Sequence, residues 1–243
     1  MTSYLFRANS NDNGIYLTCI FDRNGNPIGF KKSTSSFDAI ERLRREVRGA
    51  DWYSKLTHIK LVSVTRELPS YYSVIFKYIE GRKVNFRDGY MINYKYIEKA
   101  ISQYCEVWSK LPSKDLCIHG DFSIDNLIFG KKNTIIIDWE HFSQKSLPIG
   151  FDALNLIFEQ LYFLKKNTNL HHDAFNHARL MLKKLDEYNC LGEEYLNDPL
   201  SKMRNLIIRN KDIWGKQLKK LPIMKIDSDF ALAIDNALCV SEI

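Results

Sequence analysis

The first third of the chain alternates apolar and polar positions with the period of a strand. The run "GIYLTCIFD" is rich in β-branched and aromatic residues, the turn-forming "RNGNP" follows, and "IGFKKS" resumes the pattern. With the short "YLFRA" ahead of it, this predicts an antiparallel meander of Tyr4–Phe6, Ile15–Phe21 and Ile28–Lys32. The period then lengthens. In "STSSFDAIERLRREVRGADWYSKL" the residues Ile40, Leu43, Val47 and Trp52 trace a helical stripe, Ser35 or Ser36 can cap it, and Asp38 falls in its first turn. "IKLVSVTREL" and "YYSVIFKYI" then read as a second hairpin that turns at Pro69-Ser70. The expectation is a five-stranded sheet with one helix inserted after its third strand.

From Asn93 the pattern turns helical, with Ile97, Ile101, Tyr104 and Trp108 on one stripe. Two short strands, Asn126–Phe129 and Thr134–Ile137, interrupt the helices. Everything after Gly150 again has helical character, in "FDALNLIFEQLYFLKK", "HHDAFNHARLMLKKLDEY", "EEYLNDPLSKMRNLIIRN" and "DFALAIDNALCV". There is no internal repeat and no low-complexity linker. The expected class is α+β: a small antiparallel β lobe with one helix over residues 1–79, and a larger, mostly helical lobe over 80–243.

Composition adds exclusions. The 243 residues are 45% hydrophobic and 26% charged, which suits a packed globular core. No apolar run approaches the roughly 18–20 residues that span a bilayer. The opening "MTSYLFRANSNDNG" lacks the basic and apolar regions of a signal peptide. Five scattered cysteines without a CxxC pair argue against zinc or a disulfide framework and for reduced thiols in a cytoplasm. The net charge of +6 lies partly in the C-terminal third, either as a solvated lysine face or as attraction to an anionic partner. No nucleic-acid motif with interleaved Arg and aromatic residues occurs.

Candidate chemistry concentrates in residues 117–142, "CIHGDFSIDNLIFGKKNTIIIDWEHF". Two carboxylates and an amide, Asp121, Asp138 and Asn126, stand beside two short strands. Mg²⁺ prefers such oxygen donors and is often held by one or two carboxylates plus substrate phosphates. Asn126 and Asp138 could supply two ligands, and Asp121 could accept a proton from a hydroxyl. The spacing D-x-x-x-x-N is that of a kinase catalytic loop.

"HGDFSIDN" followed by "IIIDWE" resembles the signature of the aminoglycoside phosphotransferase and choline kinase family, which is related to protein kinases. The resemblance implies a two-lobed, protein-kinase-like fold and ATP-dependent phosphorylation of a small-molecule hydroxyl. It implies Asp121 as catalytic base, Asn126 and Asp138 as Mg²⁺ ligands, and His119 as a brace for the loop. "IGFK" parallels the V-A-I-K pattern, so Lys31 is the first candidate for the ATP phosphates. Lys32 is the alternative, because alternation sends the two to opposite faces. Glu46 is the candidate partner of that lysine, with Glu41 next. Asn13 and Gly14, in "SNDNG", would cover the phosphates, and the backbone of Lys77, Tyr78 and Ile79 would bind the adenine edge. Asp152 could cap its helix and tie it to the catalytic loop.

The acceptor is less legible. The lysine-rich C-terminal helices disfavour a polycationic aminoglycoside and leave a sugar or an amino alcohol such as choline as the expected partner. A catalytically weak scaffold of the same fold, or a protein kinase, would be the competing functions. "HGD" instead of HRD and the lack of an APE-like segment speak against the latter.

Overall fold

In the computed structural model, which describes residues 2–4, 14–84, 93–111, 115–167 and 172–239, the chain is α+β, with a small antiparallel sheet and a larger helical part. It divides into two compact units. The first holds Met1–Gly81 together with Ile137–Phe142, and the second holds Arg82–Ile136 and Ser143–Ile243. The short segment Ile137–Phe142, which the sequence placed after the 79/80 boundary, therefore groups with the first unit.

The first unit is built on a five-stranded antiparallel sheet in the order β1-β2-β3-β5-β4. Its strands are β1 (Thr2–Tyr4), β2 (Tyr16–Phe21), β3 (Pro27–Thr34), β4 (Val62–Leu68) and β5 (Tyr71–Lys77). The described part of the first strand is Thr2–Tyr4, where Tyr4–Phe6 was expected; residues 5–13, and with them the rest of that expected strand and Asn13, lie outside the described residues. The β2–β3 turn is organised by Asp22. Its Oδ1 accepts from the N–H groups of Asn24 and Asn26, both at 2.8 Å, and Gly25 takes a φ of +84°. The second hairpin turns at Pro69-Ser70, as its turn residues foretell.

Helix α1 (Phe37–Thr57) follows β3. Its buried stripe runs Ala39, Ile40, Leu43, Glu46, Gly49, Ala50 and Tyr53, so one carboxylate lies among apolar side chains. Ser36 occupies the N-cap position without a side-chain cap bond; its N–H donates to Thr34 Oγ1 instead, at 3.0 Å. At Gly49 the helix passes the segment 137–142. A Cβ there would stand 2.6 Å from Trp139 Cβ and 2.8 Å from Phe142 Cβ. Those atoms are fixed to backbone and cannot rotate away. Alanine gains about 1 kcal/mol of helix propensity over glycine. Gly49→Ala is nevertheless expected to destabilise the protein by about 1–3 kcal/mol through overpacking, read as a lower urea midpoint.

The second unit is mostly helical. Its helices are α2 (Asn93–Trp108), α3 (Phe151–Asn167), α4 (His172–Glu187), α5 (Pro199–Arg209) and α6 (Ser228–Leu238). The α2 stripe of Ile97, Ile101, Tyr104 and Trp108 is buried, and the Tyr104 and Trp108 rings stack at 4.4 Å. Two small ladders complete the unit: β6 (Asp115–Ile118) with β9 (Ser143–Pro148), and β7 (Leu127–Phe129) with β8 (Thr134–Ile136). The second is the expected hairpin, except that Ile124–Asn126 forms a 3₁₀ turn before β7. The first was not foreseen. Among the described residues no helix is long and apolar enough to cross a membrane.

Candidate active site

In the first unit, strand alternation and helix periodicity meet at one lysine. Lys32 lies on the β3 face that turns toward α1, and its Nζ donates to Glu46 Oε1 at 2.7 Å and to Asp138 Oδ1 at 2.8 Å. Glu46 is 3% exposed and Asp138 40% exposed. Burial opposes the ammonium charge, but the carboxylates of Glu46 and Asp138 outweigh it and raise the pKa of Lys32. Burial pushes the Glu46 carboxyl up to about 7, against the pull of Lys32. Asp138 has a left-handed backbone, with φ at +63°. Aspartate tolerates this conformation better than most residues, and such strained positions gather at functional sites.

The lysine expected at this position was Lys31, and that expectation is corrected. Lys31 points to the opposite face, with its Nζ 5.8 Å from the Tyr71 ring centre. The error came from matching Gly29 to the small Ala of V-A-I-K. With Lys32 as the reference, Phe30 takes that position, and its ring lies 6.2 Å from that of Tyr78. Phe30 was not singled out in the sequence, although a residue two before the lysine shares its face. Glu46 is the partner, and Glu41 binds Arg44 instead.

The remaining residues of this unit are placed as follows. Gly14 has φ at +60° and its carbonyl accepts from Thr34 Oγ1 at 2.5 Å. After β5, the N–H of Lys77 donates to Leu61 O at 2.8 Å and that of Tyr78 to Ile28 O at 3.1 Å. Both amides are engaged within the unit, so neither donates to the adenine edge expected of this backbone. Trp139 is core, packed against Trp52, Tyr53 and Phe142. A hydrogen bond from His141 holds the Glu140 carboxyl below its usual range.

In the second unit the loop between β6 and β7 carries His119, Asp121 and Asn126. His119 is fully buried, and its Nδ1 accepts from the Asp121 N–H at 3.3 Å, the bracing role expected of it. Asn126 Nδ2 donates to the Asp121 carbonyl at 2.9 Å and to its Oδ2 at 3.0 Å. These bonds fix the amide's orientation and leave Asn126 Oδ1 as an acceptor. The loop backbone is held from α3. Asp152 Oδ2 accepts from His119 N–H at 2.7 Å, and Oδ1 from Gly120 N–H at 2.9 Å. Trp214 Nε1–H donates to the Gly120 carbonyl at 2.6 Å. The tie between Asp152 and the loop was expected; the Trp214 bond, 94 residues away in sequence, was not.

Burial pushes the Asp152 carboxyl up to about 7, while the two N–H donors pull it down. The folded protein thus binds more protons than the unfolded chain between about pH 4 and 7. Stability from this group is full below that window, falls as pH rises through it, and is level above. Asp152→Asn is expected to flatten the decline in urea midpoint between pH 5 and pH 7.5.

Glu159, two turns beyond Asp152 on α3, was passed over in the sequence reading. Its Oε2 is buried without a hydrogen-bond partner. Burial, then the charges of Asp121 and Asp125, raise its pKa well above the carboxylate range. A lone acidic residue within "NLIFEQLYFL" was the available signal.

Among the described residues no three His, Cys, Asp or Glu side chains gather into a metal centre. Mg²⁺ fits a sparser set, because substrate phosphates and water complete its octahedron. The partly exposed Asp138 carboxylate of the first unit, and separately the oriented Asn126 amide oxygen of the second, are each donors of the required hard type. No protein-family model and no curated protein matches the chain.

Proposed function

We propose that the protein is a Mg²⁺- and ATP-dependent phosphotransferase of the protein-kinase-like class, acting on a hydroxyl of a small molecule. The observation that carries this reading is Lys32, held by Glu46 and Asp138 at 2.7 and 2.8 Å. A half-buried lysine paired to a helix glutamate, beside the aspartate after a short strand, parallels the lysine–glutamate pair of the protein-kinase template. Lys32 steadies the ATP phosphates, and Glu46 orients Lys32. Asp138 holds the metal, with Asn126 Oδ1 as a second candidate ligand. When bound, Mg²⁺ offsets negative charge on the transferring phosphoryl group. Phe30 and Tyr78 offer aromatic surface to the base.

Asp121 accepts the proton of the acceptor hydroxyl. His119, Asn126 and Asp152 are positioning residues that hold Asp121 and its loop. Little covalent work falls to the protein, so orientation and electrostatics supply most of the rate. Glu159 favours an amino alcohol over a neutral sugar as acceptor. An ammonium group would ionise this carboxyl and pair with its unpartnered Oε2, and the neighbouring negative charges of Asp121 and Asp125 would also attract it.

The test is ADP release with Mg²⁺ across choline, ethanolamine, simple sugars, nucleosides and aminoglycosides, run beside Asp138→Ala. Release that depends on one acceptor and is lost in the variant supports the reading. Neither nucleotide binding nor release with any acceptor favours a scaffold. Transfer to a protein and to none of the small molecules favours a protein kinase.

A further inference from the structure

The excess positive charge of the chain is concentrated in one segment of the second unit. Residues 209–225, "RNKDIWGKQLKKLPIMK", hold six basic residues and one acid, so the segment carries a net +5 of the chain's +6. That acid, Asp212, is already paired, with its Oδ2 2.5 Å from Nζ of Lys145 on β9. Lys211, Lys216, Lys219, Lys220 and Lys225 are exposed and make no ion pair among the described residues. Gly215–Lys220 is a 3₁₀ turn, in which residues three apart share an edge. Leu218 shares its edge with the buried Leu221, so Lys216, Lys219 and Lys220 stand on the two edges left to solvent. Trp214, buried directly before this turn, donates to the Gly120 carbonyl at 2.6 Å. The lysine turn thus leaves from a contact with the residue next to Asp121.

We propose that residues 209–225 are a docking surface for an anionic phospholipid bilayer. Charge complementarity identifies the partner: each lysine brought near an anionic leaflet raises binding roughly five-fold. Lysine suits that surface, because its compact, hydrated charge works without the bidentate geometry that arginine supplies. Ile208, exposed directly before Arg209, adds apolar area that the lipid interface can cover. A nucleic acid fits less well. The segment's one aromatic residue, Trp214, is buried and engaged with Gly120, so it offers no ring for a base to stack on, and Arg209 is its one guanidinium.

The consequence for turnover, that phosphoryl transfer takes place beside the bilayer, rests on the function proposed above; the docking does not. The test is therefore read without nucleotide or acceptor. The full-length protein is sedimented with vesicles of equal parts phosphatidylserine and phosphatidylcholine, and with vesicles of phosphatidylcholine alone. The expected result is binding to the first at least about tenfold tighter than to the second, released by salt of about 1 M, where screening acts within about 3 Å. The triple variant Lys216→Gln/Lys219→Gln/Lys220→Gln should lose at least about tenfold in binding to the anionic vesicles. Its positions are exposed, so the urea midpoint should match the parent. Lys95→Gln/Lys99→Gln/Lys183→Gln removes the same charge from exposed positions on α2 and α4 and should bind nearly as the parent does. Equal losses in the two triple variants, or no preference for the anionic vesicles, overturn the proposal. Tighter binding to a single-stranded RNA of equal phosphate concentration also overturns it, in favour of a nucleic-acid partner.

Discussion

Lys32→Ala is expected to lower phosphoryl transfer by at least about 10²-fold, the scale of removing one preorganised charge from a transition state. Lys31→Ala should stay close to the parent. The difference follows from alternation: adjacent residues of β3 face opposite ways, and only Lys32 reaches Glu46 and Asp138. The variant carries a second effect. It leaves the buried Glu46 without its cation, so that carboxyl, already raised to about 7, takes up a proton and loses its ion pair, at some cost in stability. The double variant Lys32→Met/Glu46→Gln separates the two effects. It should recover much of the lost stability while transfer stays low. Recovery of transfer in the double variant, or an equal loss in Lys31→Ala, would show that Lys32 does not serve the nucleotide. Rate and urea midpoint measured on all four proteins decide it.

Asp121→Asn is expected to reduce kcat by about 10²–10⁴-fold, the range of general-base catalysis. The amide keeps an oxygen to accept from Asn126 Nδ2, so the fold should be nearly unaffected. KM for ATP should change little, because the residue acts on the acceptor. A kcat near that of the parent at saturating acceptor would remove Asp121 from the base role. A raised KM for ATP with unchanged kcat would instead move Asp121 to nucleotide binding.

The parts of the fold that depend on neighbours in sequence were legible. Both hairpins, the α2 stripe and the β7–β8 turn follow from period and turn chemistry over fewer than about 20 residues; of the expected α1 stripe Ile40 and Leu43 are buried, whereas Val47 and Trp52 are only half-buried and Glu46, Gly49, Ala50 and Tyr53 line the buried face instead. The β6–β9 ladder was not legible. "DLCI" and "SQKSLP" are short, lack clean alternation, and meet only after the β7–β8 hairpin has closed between them. The site divides in the same way. His119, Asp121 and Asn126 announce themselves within one loop. The choice between Lys31 and Lys32 depends on which β3 face meets α1, a tertiary fact carried by contacts such as Lys32 to Asp138 across 106 residues. Trp214 and Glu159 were hidden for a related reason: an indole in a polar turn, or a single carboxyl in an apolar helix, reads as packing or surface until its partners are known.

The most direct test is Mg²⁺-dependent ATP binding by titration calorimetry, with the parent protein, Lys32→Ala and Asp138→Ala, because it needs no knowledge of the acceptor. The account predicts that the parent binds ATP with Mg²⁺ and far more weakly without it. Both variants should lose at least about tenfold in affinity, a difference of roughly 1.4 kcal/mol. No binding by the folded parent, or binding that ignores Mg²⁺ and both substitutions, would contradict it.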